Sequence, residues 1–494
     1  MSLIMSITKG SIKKSGRCFS SCCFSGHGLT VTALVLILSG CTAVVRTPYE
    51  QPALQIPAQY GQQIKQSQTA NAVTIAQLQD QWWTLFNDPQ LNALVDSALL
   101  ANNDLALAGL RLKQVREQAG LTANQQLPRV NASGSASHQV ALANGDDRSG
   151  GLSVSGSVSY AVDLWGKLAN QTEAARWEAA ATQQDLQATA QTLVGTVCSL
   201  YWQLAYLNER IASSDASIAS SRKLFSLVQS RYRAGAVSGL ELAQAEQALV
   251  GQEASQSQLI QQRVEARNAL AILFNVPPTQ LDRQFTFTEP KKLLTVNLPD
   301  IDAGLPTDLI ARRPDLSASE FRLRKVLANK DATRASYYPS FSLTSSLGSS
   351  STSLTELLKN PALTLGAGVS LPFLQYNDMQ RNLAISELEY QAAIIGFRQS
   401  IYSALADVDN ALSNKTQLQI QTNAQQRTLD LTQRTERLNE VRYRAGAVAL
   451  KQWIDAQEAR RNTQNSLLQI RLSQLNNMVV LMQSLGGSPV NPAP

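Results

Sequence analysis

The chain has 494 residues, with 43 basic and 37 acidic side chains and a formal net charge of +6. Charged residues make up 16% of the sequence and aromatic residues only 6%, which suits long solvated helices better than a large compact core. Without the four basic residues of segment 1–40 the balance is 39 against 37, so the charge gives no support for a nucleic-acid partner.

Residues 1–40 have the pattern of a lipoprotein signal peptide. A basic segment precedes LTVTALVLIL (29–38), an apolar run too short to span a bilayer but typical of a signal peptide. The run leads into LSGC (38–41), which resembles the lipobox of bacterial lipoproteins. That resemblance implies cleavage before Cys41, acylation of its thiol and new amine, and, with Thr42 next, an outer-membrane address. The alternative is a short apolar helix with a chance cysteine.

The residues that would remain after cleavage offer little support for enzymatic or metal chemistry. Of five cysteines and two histidines, only Cys41, Cys198 and His138 lie beyond residue 40. We therefore expect no disulfide framework, no metal site and no cofactor besides the lipid on Cys41. The sequence also lacks a G-x-S-x-G motif and a phosphate-binding glycine loop, so we expect no enzyme activity. Cys198, in an apolar helical stretch, is interpreted as a packed thiol.

A Pro/Gln-rich segment at 41–80 is expected to be extended, and a helical pattern follows from QWWTLFNDPQLNALVDSAL (81–99) to about residue 126. Two strand patterns come next, at about 129–140 and 152–162. The second alternates apolar residues with serines, which predicts one apolar and one hydroxyl-rich face.

Two further strand patterns occur at about 340–349 and 363–372. Each strand has roughly the length of a transmembrane β-strand, with Val158 expected to face lipid and Ser157 water. Four strands cannot close a barrel, and an open edge in lipid is costly, so the chain would have to oligomerise. Three copies would give twelve strands around a water-filled lumen. A soluble sheet with one wet face is the alternative, but it would need a cover for its apolar face.

Long uninterrupted helices follow each pair of strands. The first is predicted from about Gly166 to Arg233, roughly 100 Å, with a return helix to about Phe274. The second pair is predicted from about Met379 to Arg444 and on to Leu485. A heptad seam in the first helix predicts supercoiling on a neighbour, at Leu193, Val197, Leu200, Leu204, Leu207, Ile211, Ser214, Ile218, Ser221, Phe225 and Val228.

The same seven residues, RYRAGAV, stand at the end of both long helices, at 231–237 and, 211 residues later, at 442–448. Each copy has a glycine, Gly235 or Gly446, that can take the left-handed conformation and reverse the chain. The same offset relates residues from about 104 to 481 without net slip, including Pro128 to Pro339. The chain therefore contains two copies of one unit. We place them at 81–285 and 311–487, joined by 286–310 and followed by a tail at 488–494.

Together these motifs resemble the outer-membrane factor family, the TolC-like exit ducts, in its OprM/NodT-type lipoprotein branch. They are WWTLFNDPQLNALV (82–95), YAVDLWGKL (160–168), both RYRAGAV copies, ARRPDLSASEFRLR (311–324) and YYPSFSL (337–343). The resemblance implies a mixed α/β membrane protein. It would be a homotrimer whose twelve-stranded β-barrel sits in outer-membrane lipid and continues as a periplasmic α-helical coiled-coil barrel. A belt around the middle of the helices would include residues 276–310 and both termini.

The resemblance also assigns roles at the tips. Arg231, Gly235, Arg442 and Gly446 would dock a periplasmic adaptor, although the arginines could simply solvate a helix end. Tyr443, Lys451 and Asp455, with Gly446, would close the periplasmic mouth. The chain departs from the family at Lys451-Gln452, where an apolar or acidic residue is common, and YNDMQRN (376–382) lacks the usual paired glycines. Lys451 could pair with Asp455 in its own chain or with an acid of the next protomer.

The main hypothesis is an outer-membrane channel of a tripartite efflux system, which carries drugs, toxic small molecules or metal ions. An inner-membrane pump would supply the energy and a periplasmic adaptor would connect pump and channel. One alternative is the outer-membrane channel of a type I protein secretion system, which has the same fold and a different pump. Another is an envelope scaffold lipoprotein, which would explain the heptads and the acylation but not four membrane-type strands.

Overall fold

We describe a computed structural model of the chain. It describes residues 44–57, 60, 81–140, 147–281, 288–293, 298–299 and 312–487. The predicted lipidation site Cys41 and the tail 488–494 lie outside the described residues, so the predictions made for them are not addressed by the structure.

Each repeat contains shorter helices, then two strands and a long helical hairpin. The first repeat has two of these shorter helices and the second has one. In the first repeat a 3₁₀ turn at Trp82–Phe86 precedes α1 (Pro89–Ala101), α2 (Asn103–Ala123), β1 (Arg129–Val140), β2 (Asp147–Val162), α3 (Lys167–Arg233) and α4 (Gly239–Leu273). The second contains α5 (Pro314–Ala335), β3 (Ser340–Ser351), β4 (Ala362–Ser370), α6 (Tyr376–Arg444) and α7 (Leu450–Ser484).

The helical region predicted up to residue 126 divides into α1 and α2 at Asn102. This side chain caps α2, because its oxygen accepts a hydrogen bond from the Leu105 amide at 3.0 Å. Asp88 caps α1 in the same way by accepting from the Gln90 amide at 3.0 Å. The two polar caps thus start two helices where the apolar periodicity alone predicted a single helical region.

The four strands form one antiparallel sheet in the order β1-β2-β3-β4, and the two repeats join where β2 pairs with β3. β2 begins at Asp147, five residues earlier than the predicted start, since it continues to pair with β1 beyond a register shift between Ser137 and Gln139. β4 ends at Ser370, two residues before the predicted end. The irregularity interrupts the period-two pattern, which is why the pattern underestimated the length of β2.

The turn after the strands differs between the two repeats. Gly166 has φ of 76° and precedes the first residue of α3. In the second repeat Asn377 stands at the matching position inside α6, which begins at Tyr376 directly after a 3₁₀ turn. No left-handed residue is then needed, because the turn itself redirects the chain.

The largest hydrophobic core surrounds the middle of the long helices. Trp202 of α3 is 1% exposed and packs edge-on against Phe86, with ring centroids 5.4 Å apart. Tyr60 and Leu293 are buried in the same core and Leu485 joins it after the end of α7, so the N-terminal segment, the linker and the C-terminal end all contribute to it. Glu289 fixes the linker to α4 through Arg263 at 2.9 Å.

The helix α3 has 67 residues, about 100 Å, and none of its eleven predicted seam positions is exposed. The predicted seam of α3 is therefore covered along its length, while its supercoiling stays a prediction. Cys198 lies in this core and is fully buried, and burial raises the pKa of its thiol, as expected of a packed cysteine. None of the helices in the described part of the chain combines the length and hydropathy needed to cross a membrane.

Candidate functional site

The two RYRAGAV segments form the same turn at the tips of the two helical hairpins. Gly235 has φ of 72° and Gly446 has φ of 74°, so both take the predicted left-handed conformation. In each turn the amide three residues past the helix end donates to the carbonyl five residues earlier, from Ala236 to Arg231 at 2.9 Å and from Ala447 to Arg442 at 2.8 Å. This pattern satisfies the last carbonyls of the helix, and it recurs because the sequence recurs.

The environments of the two tips are nevertheless different. Tyr443 is 5% exposed, whereas its counterpart Tyr232 is 46% exposed. The Tyr443 ring lies 5.4 Å from the Trp453 ring, and the Arg231 guanidinium lies over it at 5.7 Å. Tyr443 belongs to a small core, the tip cluster, which both hairpins build from Leu224, Val228, Ala245, Tyr443, Leu450 and Trp453.

The tip cluster revises the interpretation of Arg231. Sequence reasoning treated Arg231 and Arg442 as equivalent docking residues, but Arg231 contacts the face of Tyr443 and Arg442 is exposed. Sequence reasoning also missed Trp453. The sequence signal for Trp453 was a difference between the repeats, because Leu242 stands at the matching position of the first repeat, 211 residues earlier. The docking role itself stays a prediction.

The predicted gate residues Lys451 and Asp455 form an ion pair within the chain. The Lys451 ammonium donates to both carboxylate oxygens of Asp455, at 2.9 Å and 3.0 Å, across one turn of α7. Their side chains are 63% and 55% exposed. Of the two pairings left open by the sequence, the described chain contains the one within the protomer. An exposed pair of this kind contributes less than about 1 kcal/mol, so by itself it cannot hold a closed mouth.

The sheet register places the apolar residues of all four strands on one face. Residues paired directly across neighbouring strands share a face, and Val158 pairs with Val130, as Leu347 pairs with Leu363. Serine interrupts this apolar face on β3. Its members are Val130, Ala132, Gly134, Ala136, Leu152, Val154, Gly156, Val158, Tyr160, Val162, Phe341, Leu343, Leu347, Leu363, Leu365, Ala367 and Val369.

The opposite face is rich in hydroxyl groups. Ser133 and Ser155 are bonded across β1 and β2 at 3.0 Å, and Ser135 and Ser153 at 2.8 Å. Apolar residues on the first face remain uncovered, for example Leu365, which is 74% exposed. A soluble sheet would bury such a face, so the arrangement favours a sheet that meets lipid on one side and water on the other.

Comparison with known proteins agrees with this arrangement. Residues 94–276 and 305–487 both match the family described as outer membrane efflux protein. Toxin and drug export protein A of Aggregatibacter actinomycetemcomitans is 31% identical over 411 residues, covering 83% of this chain and 89% of that protein. Cation efflux system protein CusC of Escherichia coli K12 is 29% identical over 462 residues, covering 92% and 98%.

A solved structure also superimposes on the fold. The open state of the MtrE outer membrane channel of Neisseria gonorrhoeae aligns with a TM-score of 0.76 at 27% identity, covering 89% of this chain and 97% of that one. The two family matches coincide with the two repeats that the RYRAGAV segments first indicated. The chain belongs to the outer membrane efflux protein family.

Proposed function

We propose that the chain forms the exit channel of a tripartite efflux system in the outer membrane. It is a passive conduit for drugs, toxic small molecules or metal ions, driven by an inner-membrane pump through a periplasmic adaptor. The observation that carries this proposal is the sheet, whose apolar and hydroxyl-rich faces run in register across four strands and lead into helices of about 100 Å.

The conduit requires three copies of the chain. β1 and β4 are the outer strands of the sheet, and each pairs on one side only within the described chain. Unpaired backbone groups in lipid cost several kcal/mol each, so β1 of one copy should pair with β4 of the next. Three copies give twelve strands, wide enough for a water-filled lumen lined by serine, threonine and glycine.

The helices supply a second argument for assembly. Within the chain, Trp177 of α3 stacks on Phe321 of α5 with ring centroids 5.5 Å apart. The positions related to them by the repeat offset are Leu388 of α6 and Leu110 of α2, which are 63% and 59% exposed. If the same contact forms between copies, Leu388 of one copy lies on Leu110 of the next. Ile395 continues this uncovered seam one heptad further along α6.

The N-terminal segment supports a membrane anchor at the end of the sheet. The Val45 amide donates to the carbonyl of Trp165, three residues past β2, at 3.1 Å. Two residues later, Thr47 donates from its amide and its hydroxyl to the buried Asp331 carboxylate, at 2.6 Å and 2.7 Å. Cys41 precedes Val45 by four positions, a reach of at most about 14 Å. Acyl chains on Cys41 would then enter the membrane that contains the strands.

Small molecules are the main candidate class of cargo. The relatives' names cover cations, pyoverdine, and toxin and drug export. The last name keeps protein secretion as a second candidate, because that protein's cargo includes a toxin. Partners that copurify with this chain would separate the two, since the pumps differ while the channel fold is shared.

Crosslinking tests the assembly. A chain carrying Leu110→Cys and Leu388→Cys should form disulfide-linked dimers and trimers on mild oxidation. Leu100→Cys with Leu388→Cys is the matched control, because Leu100 is 90% exposed and does not lie on the α2 seam. Cys198 is buried, so we expect it to form no disulfide that would obscure the crosslinks. Single-channel recording in planar bilayers then tests the conduit, and a trimer without conductance would refute it.

A further inference from the structure

A cavity of about 430 Å³ lies where α2 begins, between α2, α3 and the end of α4. Its lining includes two carboxylates and a stripe of threonines. The polar lining residues are Asn102, Asp104, Asp185, Thr189, Thr192 and Thr196. Neither the tips nor the sheet includes it.

An arginine stands at the matching position of the second repeat. Arg313 stands 211 residues after Asn102, and its Nε and Nη2 donate to the two oxygens of Asp315 at 3.0 Å and 2.8 Å. Its Nη1 lies 3.3 Å from Asp407. Burial alone would lower the pKa of Arg313, but the two carboxylates outweigh burial and raise it. The guanidinium is thus held as a charged group, and its side chain is only 13% exposed.

The first repeat keeps part of this site and lacks the arginine. Asp104 corresponds to Asp315, Thr196 to Asp407 and Asn102 to Arg313. The polar atoms of the Asn102 side chain are already hydrogen-bonded, because its amide donates to the Leu273 carbonyl at 3.0 Å and its oxygen caps α2. Among the described residues, the Asp104 carboxylate has no hydrogen-bond or ion-pair partner. The cavity therefore retains the anion and has room for the absent guanidinium.

The threonines make the cavity a site for hydrogen-bond donors. The hydroxyls of Thr189, Thr192 and Thr196 each donate to the carbonyl four residues earlier, at 2.8 Å, 2.9 Å and 2.8 Å. Their hydrogens are used, so their oxygens can only accept. Asp185 accepts from Arg322 at the edge of the cavity. An acceptor-rich lining with a free carboxylate selects a ligand that carries positive charge and several N–H groups.

We propose that this cavity binds the guanidinium group of a small organic cation. Asp104 would accept two parallel N–H bonds from it, as Asp315 does from Arg313, and the threonine oxygens would accept from the remaining edge. One charged pair in a partly open cavity corresponds to weak binding, with a Kd on the order of 1 mM.

The test compares methylguanidinium with methylurea, a neutral molecule of similar shape, by saturation-transfer NMR on the detergent-solubilised full chain. We expect methylguanidinium to bind, methylurea not to bind, and Asp104→Asn to weaken binding about tenfold or more. Thr196→Asp restores the second carboxylate of the other repeat and should tighten binding. The matched control is Asp96→Asn, an exposed carboxylate on α1 outside the cavity, which should leave binding unchanged.

Three results would overturn the proposal. The first is that methylguanidinium does not bind the assembled protein, as would happen if a side chain of a second copy filled the cavity. Asp104→Asn could bind as the parent does, or Asp96→Asn could lose binding equally, which would indicate unspecific charge attraction. The measurement needs no pump, adaptor or transport, so its failure is distinguishable from failure of the proposed function.

Discussion

The tip cluster predicts that two tyrosines in identical sequence respond very differently to mutation. Tyr443→Ala removes a side chain that is 5% exposed, whereas Tyr232→Ala removes one that is 46% exposed. Both lie in RYRAGAV, so the local sequence and the turn are the same. Any difference between the two variants must therefore come from tertiary contacts.

The expected cost follows from the contacts of Tyr443. Replacing a buried aromatic by alanine costs about 3–5 kcal/mol, and the lower end applies here because a cluster near a helix end can partly collapse. That figure includes about 1 kcal/mol for the ring pair with Trp453 and about 0.5–1 kcal/mol for the cation–π contact with Arg231. The Tyr443 hydroxyl has no hydrogen-bond partner within the described chain, so Tyr443→Phe should be nearly neutral. Tyr232→Ala should change stability by no more than about 0.5 kcal/mol.

Hydrogen exchange measures the loss of stability locally, at the tip itself. A loss of about 3 kcal/mol raises the open fraction of the tip about 100-fold, so the last turn of α6 and the first turn of α7 should exchange correspondingly faster in Tyr443→Ala. Exchange around the core at Trp202 should not change, which controls for global unfolding. If Tyr232→Ala accelerates exchange as much as Tyr443→Ala, or if Tyr443→Phe matches Tyr443→Ala, the reasoning from burial is refuted.

Three further predictions concern the barrel, the gate and the anchor. Val158→Arg should impair trimer assembly by about 2–4 kcal/mol per chain near the membrane midplane, while Ser157→Arg should assemble and alter conductance; the reverse would mean that the wrong face was assigned to lipid. In planar bilayers at low and high salt, Asp455→Ala should raise single-channel conductance and weaken cation preference, whereas Lys451→Ala should raise conductance and strengthen that preference. If both match the parent, the constriction lies elsewhere. Mass spectrometry of the mature N-terminus should find acyl chains on Cys41, and Cys41→Ala should mislocalise the protein without preventing trimer formation.

Periodicity was sufficient to predict the long elements of the fold. The first long helix ends at Arg233 as predicted, because RYRAGAV contains its own stop signal in Gly235. The strand faces were also predictable, since apolar and hydroxyl residues alternate. Both signals are local, and each is repeated many times within one element, so a single irregular residue does not obscure them.

The remaining features depend on residues far apart in the chain. Nothing near Tyr443 in sequence predicts that Arg231, on the other hairpin, lies over its ring. The extension of β2 to Asp147 follows from pairing beyond an irregularity in β1. The Arg313 site, likewise, becomes informative only when the contacts of one repeat are compared with those of the other. The informative sequence signals were the departures between repeats, such as Asn102 opposite Arg313.

Such departures have a geometric reason. Within one chain the first repeat meets the second, as where Trp177 stacks on Phe321, but the far side of each repeat has no second repeat left to meet. In the proposed trimer those outer faces meet between copies, so equivalent positions face one neighbour in the same chain and one in another. Leu110 and Leu388 would then contact each other across an interface, while Phe321 and Trp177 contact each other within the chain. Leu110 and Leu388 are exposed while their counterparts Phe321 and Trp177 stack within the chain, so these two leucines mark a surface that the next copy would cover in the proposed trimer.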